Sequence, residues 1–101
     1  MSRTVTQVSE RRRETRRMPR HRVRVHRALP VVPLSDAQVL NVSDSGVALR
    51  TGVPLRKGDR LSFSIGDELP RILAEVLAVE PLDGQAFRVR CRCLLGGFEE
   101  A

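Results

Sequence analysis

Six residues, Asn41-Val42-Ser43-Asp44-Ser45-Gly46, place an amide, a hydroxyl and a residue without a side chain at one corner of the chain. A turn needs only part of that set. Asn41 and Ser43 can cap a hairpin through Asx- and Ser-type turns, with Gly46 a plain turn glycine and Asp44 and Ser45 the turn itself. The rest is capacity for recognition. An amide and a hydroxyl on one face can meet the edge of a purine, and Gly46 either supplies a positive-φ turn or lets a ligand approach the backbone closely. Upstream stand Arg16 and Arg20, the ends of an Arg-x-x-x-Arg spacing. Arginine forks two donors onto a phosphate or onto guanine O6 and N7, and also lays its plane against a base. Residues 1–27 hold ten arginines and no lysine.

Other chemistry is thinly provided. Ser, His and Asp are present, but His21 and His26 stand among arginines, with no nucleophile elbow and no paired acids, so catalysis is not expected. Cys91 and Cys93 would point the same way on a strand, a poor geometry for bridging each other, and read as small buried hydrophobes. A metal would need His21 or His26 beside them, and Cys-x-Cys alone does not imply one.

The net charge of +6 on 101 residues is unevenly spread. Ten arginines against Glu10 and Glu14 give residues 1–27 a charge of +8, and residues 28–101 carry eight basic against ten acidic side chains, or −2. An arginine-rich arm on a near-neutral body implies an anionic partner: nucleic acid, a nucleotide or a membrane surface. At 41% hydrophobic and 30% charged the chain reads as one soluble domain. No apolar run approaches the roughly 20 residues of a membrane span. The charged start lacks the apolar region of a secretory signal, which makes the cytoplasm the expected compartment.

These side chains must be positioned by strands. Residues 1–15 show no sustained apolar period and are expected to be a flexible basic arm, with room for a short helix capped by Ser9. From Arg20 the period is two: Val23 and Val25 on one face, Arg22, Arg24 and His26 on the other. Pro30 and Pro33 then oppose ladder pairing. The next strands put Leu40 and Val42 inward with Asn41 and Ser43 outward, then Val47 and Leu49 inward, then Leu61, Phe63 and Ile65. Residues 71–81, bounded by Pro70 and Pro81, read as a long strand with Ile72, Ala74, Val76 and Ala78 on one face and Leu73, Leu77 and Val79 on the other. A homodimer contact is one cover for that second apolar face. The last strand turns Phe87, Val89, Cys91 and Cys93 in and Arg88, Arg90 and Arg92 out, a solvated face able to pair with Glu75 or Glu80. Six short strands with hairpin-scale connections mean an all-β antiparallel barrel or sandwich. The expected division is an arm at 1–15, a barrel at 16–96 and a tail at 97–101, too short and Gly-rich for a covering helix.

Arg-x-x-x-Arg before the first strand, followed by (Asp/Asn)-x-Ser-x-x-Gly at the end of the second, resembles the PilZ family over residues 11–95. The resemblance implies a six-stranded antiparallel β-barrel that binds the bacterial second messenger cyclic di-GMP, with no metal. Arg12/Arg16, Arg13/Arg17 and Arg16/Arg20 all fit the first motif; Arg16 and Arg20 are chosen because "RRMPRHRV" runs straight into a strand. The implied ligand-binding set is Arg16, Arg17, Arg20, Asn41, Ser43 and Gly46, with Arg50 added because it shares the parity of Gly46. Thr15 stands where members often carry another arginine, which leaves one ligand molecule or a stacked pair open. The expected mechanism is a sensor whose arm, mobile through charge repulsion, orders on the ligand and changes the surface a downstream protein reads. Two rivals are a nucleic-acid binder working through the arm and a PilZ-like adaptor without ligand. Against the first, three Phe and no Tyr or Trp leave little surface on which bases could stack.

Overall fold

The computed structural model describes residues 15–28, 31–82, 84–99 and 101. The helix expected near Ser9 and nearly all of the 1–15 arm lie outside these residues. The remainder is all β: β1 Val23–Ala28, β2 Val31–Pro33, β3 Gln38–Ser43, β4 Gly46–Thr51, β5 Arg60–Ile65, β6 Ile72–Pro81 and β7 Phe87–Leu95. They form one antiparallel sheet in the order β2-β1-β5-β6-β7-β4-β3, curled into a half-barrel.

Seven strands replace the six expected. The extra one, β2, ends in the Pro33 that was expected to oppose pairing. It pairs only with β1, through Ala28 opposite Val31 and His26 opposite Pro33. Proline lacks an N–H but is tolerated on an edge strand, where one side of the ladder is empty.

Two bulges correct the expected facing. Val39 stands opposite Leu49 and Asn41 opposite Ala48, so Leu40 is an extra residue in β3. Val39 and Val42 face the core in place of Leu40 and Val42, while Asn41 stays outward. In β6, Val76 opposes Cys91 and Ala78 opposes Arg90, leaving Leu77 extra. Val79 therefore turns inward against Val89, and Ala78 faces out. An inserted residue reverses the facing of everything beyond it. Leu73 remains on the outer face opposite Leu95, itself 66% exposed.

The core joins Val25, Val42, Leu49, Leu61, Phe63, Val76 and Val89 from the concave face to two residues of the segment after β7, Phe98 and Ala101, both buried. Phe98 meets the Phe63 ring edge-on, with centroids 5.3 Å apart and planes at 77°. Among its described residues the segment is not helical, yet it fills the open side of the curl. Gly97 permits it: a Cβ there would lie 2.6 Å from the Asp44 carbonyl oxygen.

Truncating a buried aromatic side chain costs about 3–5 kcal/mol. Phe98→Ala is expected to lower the urea unfolding free energy by that much, a large share of the roughly 5–15 kcal/mol of a domain this size. Cys91 is buried, and burial, with the neighbouring Cys93 second, pushes its thiol up to about 12 from 9.0. The folded chain thus holds this proton more tightly than the unfolded chain. Its contribution is complete below pH 9 and is lost as pH climbs toward 12, by about 1.4 kcal/mol per pH unit. Cys91→Val should flatten that alkaline decline in denaturant titrations run between pH 8 and 11.

Candidate functional site

The corner between β3 and β4 is a two-residue connection, with Ser43 opposite Gly46 and Asp44 and Ser45 at its tip. Such hairpins favour positive φ at the tip, because that twist matches the strands. Neither Asp44 nor Ser45 adopts it. The corner is instead held from outside: the Asp44 carbonyl accepts the Phe98 N–H at 3.1 Å, and the Ser45 carbonyl accepts the Cys93 N–H at 2.7 Å. Gly46 does not have positive φ either, which removes the turn explanation for it. What it provides is room, since a Cβ there would lie 3.2 Å from the Cys91 carbonyl oxygen and 3.3 Å from Ser43 Oγ. Ser43 is only 7% exposed.

The arm reaches this corner along the free edge of β3. Arg17 N–H donates to the Val42 carbonyl at 2.8 Å, and Val42 N–H returns a bond to the Arg17 carbonyl at 2.7 Å. Directly opposed residues share a face and their neighbours take the other. Arg17 accordingly turns with Val42 toward the C-terminal segment. Its guanidinium donates to the carbonyls of Phe98 (2.6 Å), Glu99 (3.3 Å) and Ala101. Arg16 turns the other way with Asn41 and donates to Asn41 Oδ1 at 3.0 Å. Arg20 lines a cavity of about 450 Å³ with Arg17, His21, Asp44, Glu99 and Ala101. A second cavity, about 380 Å³ beside β1, is lined in part by Arg22, Arg24, His26 and Ser35 and touches none of the motif residues.

Of the seven candidate residues, the structure gathers Arg16, Arg17, Arg20, Asn41, Ser43 and Gly46 around one corner. Arg50 stands apart: exposed on β4, four residues beyond Gly46 and about 13 Å along the strand. Arg12 and Arg13 lie outside the described residues, so Arg16 and Arg20 are the one pairing of the three whose members are both placed. Two of the three β7 arginines pair as anticipated, Arg92 Nη2 with Glu75 at 3.3 Å and Arg90 Nε with Glu80 at 3.9 Å, and Arg88 does not. Exposed pairs of this kind are worth at most about 1 kcal/mol.

Asp44, Glu99 and His21 were not foreseen as lining residues. Asp44 reads as an ordinary turn residue, and Glu99 reaches the cavity only because the chain doubles back after β7. The signal available was "GGF", two glycines delivering an aromatic side chain. Among the described residues no group of three or more His, Cys, Asp or Glu could hold a metal ion, and no helix is long and apolar enough to cross a membrane.

An open antiparallel barrel with a short arginine leader bonded to the corner of one hairpin defines a small β-barrel domain with a cleft lined by two arginines and two acids. The sequence model of the PilZ domain matches residues 10–97, and the chain belongs to that family. PilZ domains bind cyclic di-GMP, interact with partner proteins, and serve as receptors or adaptors and not typically as enzymes. None of the curated proteins and none of the solved structures compared with the chain matches it.

Proposed function

We propose that this protein binds cyclic di-GMP in the bacterial cytoplasm and passes the signal to a protein partner through its N-terminal arm. The observation that carries this reading is that both motifs converge on the β3–β4 corner: Arg16 bonds Asn41 on one face of it, and Arg20 shares a cavity with Asp44 at its tip. The cavity falls within the roughly 300–1,000 Å³ of small-molecule sites. Its lining combines Arg17 and Arg20 with two acidic residues, Asp44 and Glu99. A bare polyphosphate would be repelled by half of that set. A guanine nucleotide fits both halves, since its phosphate, O6 and N7 accept from arginine and its N1–H and N2–H₂ donate to a carboxylate. Asn41 lies outside this cavity, on the other face of the corner, and adds an amide beside Arg16.

The signalling step follows from electrostatics. The arm carries +8 over residues 1–27, and its guanidiniums repel one another. Arg17 is held by three main-chain carbonyls, whereas Arg16 makes one exposed bond to a side chain. A dianion between Arg16 and Arg20 cancels their repulsion and tightens the hold of the arm on the corner. The outer face of the corner changes accordingly, and a partner protein can read it.

Calorimetric titration with cyclic di-GMP, GTP, cyclic di-AMP and short duplex DNA tests the binding. Saturable binding to cyclic di-GMP is expected, lost in Arg20→Ala and weakened about tenfold in Asn41→Ala. Equal binding to duplex DNA that ignores Asn41 and vanishes with modest salt identifies the arm as a nucleic-acid contact instead. No binding to any of them leaves the ligand-free adaptor. The switch has its own check: amide exchange over residues 10–22 should slow when cyclic di-GMP is added. Unchanged protection would remove the arm from the mechanism even with binding intact.

A further inference from the structure

On the outer face, strand register aligns cross-strand rows over β3, β4 and β7. Ser43, Gly46 and Arg92 share one, Asn41, Ala48 and Arg90 the next, and Gln38, Arg50 and Arg88 the third. Strand β6 continues the first row with Glu75 and the third with Glu80. The first row is neutralised, because Arg92 bonds Glu75. Glu80 stands opposite Arg88 but lies within reach of Arg90 Nε, at 3.9 Å. The third row is left with Arg50 directly opposed to Arg88, and neither has a carboxylate within ion-pair distance among the described residues.

Like charges opposed across a sheet destabilise it. Arg88 adds a second penalty: its Nε is buried and has no hydrogen-bond partner. A buried donor without a partner costs about 1–3 kcal/mol. A bound anion would relieve the repulsion and lower the cost of holding Arg88 charged beside Arg50.

The row also lies at a useful distance from the corner. Arg50 is about 13 Å along β4 from Gly46, and only Ala48 intervenes on that face, so no long β4 side chain stands between them. A ligand with two purine-and-phosphate halves, held by one half at the corner, can lay the other along this line. We propose that Arg50 and Arg88 form a clamp for the second nucleotide, forking onto its phosphate or onto guanine O6 and N7. This rests on the reading of the corner as a cyclic di-GMP site. It assigns a binding role to Arg88, a side chain that the sequence pattern alone places on a solvated face.

The test is titration of the full chain with cyclic di-GMP in Arg88→Ala, Arg88→Lys and Arg90→Ala at one fixed ionic strength, with thermal melts of each variant. Arg88→Ala is expected to weaken binding at least tenfold, Arg88→Lys to recover little of it, and Arg90→Ala to change it less than twofold. The unliganded midpoint of Arg88→Ala should hold or rise, because repulsion is relieved; a fall would mark Arg88 as structural and overturn the clamp. Equal losses in Arg88→Ala and Arg90→Ala would reduce the effect to general charge and overturn it as well. Binding that is abolished by Arg20→Ala yet unaffected by Arg88→Ala overturns the clamp and leaves the corner site standing. No binding by the unaltered chain overturns both.

Discussion

A single arginine, Arg17, ties three separated parts of the chain to one another. Its backbone forms the bridge to Val42 on the free edge of β3, and its guanidinium gathers the carbonyls of Phe98, Glu99 and Ala101. Hydrogen bonds from a charged donor are worth roughly 1.5–3 kcal/mol each where they are shielded from water. Everything at the corner depends on this junction. With Arg17 facing the C-terminal segment, alternation obliges Arg16 to face Asn41, and the chain then delivers Arg20 to the wall of the cavity. The candidate recognition residues are thereby set by a neighbour whose own side chain is committed to structure.

The same junction settles how an incomplete barrel survives. A curled sheet with β2 and β3 at its ends leaves an open side through which water would reach Phe63 and Val42. Phe98 and Ala101 occupy that side, and the arm runs along the β3 edge. Unpaired strand edges invite association with other chains, and a paired or covered edge does not. The Asp44 and Ser45 carbonyls are bonded to Phe98 and Cys93, so the corner, the last strand and the plug are one mechanical unit. A ligand that presses on the corner therefore presses on the core.

Much of this was legible in the residues, and the failures have definite causes. Strict alternation placed β7 correctly, because Phe87-Arg88-Val89-Arg90-Cys91 offers no alternative facing. It misplaced Leu40 and Ala78 because a bulge inserts one residue without any compositional mark: in "QVLNV" either Val39 or Leu40 satisfies an apolar requirement. The corner could be found because polar side chains at a strand end exceed what a turn requires. The part taken by Phe98 could not, since a short Gly-rich segment bears no periodicity and its burial depends on a gap left by strands remote in sequence. Arg17 was legible as a ligand-binding candidate; its three carbonyl partners exist only once the segment after β7 has folded back.

Charge placement gives the fold its functional bias. The body is close to neutral, yet its outer face over β4 and β7 concentrates Arg50, Arg88, Arg90 and Arg92, with Glu75 and Glu80 engaging only the last two. The arm lays further arginines against the adjoining corner. Such clustering lowers the stability of the unliganded fold, and the packed interior of Leu49, Leu61, Phe63 and Phe98 must offset it. An anion that binds only the folded form returns that loss by mass action, about 2.7 kcal/mol at a hundredfold excess over its dissociation constant. Arginines in such an arrangement carry a cost in the free protein that the proposed dianionic ligand would convert into binding free energy.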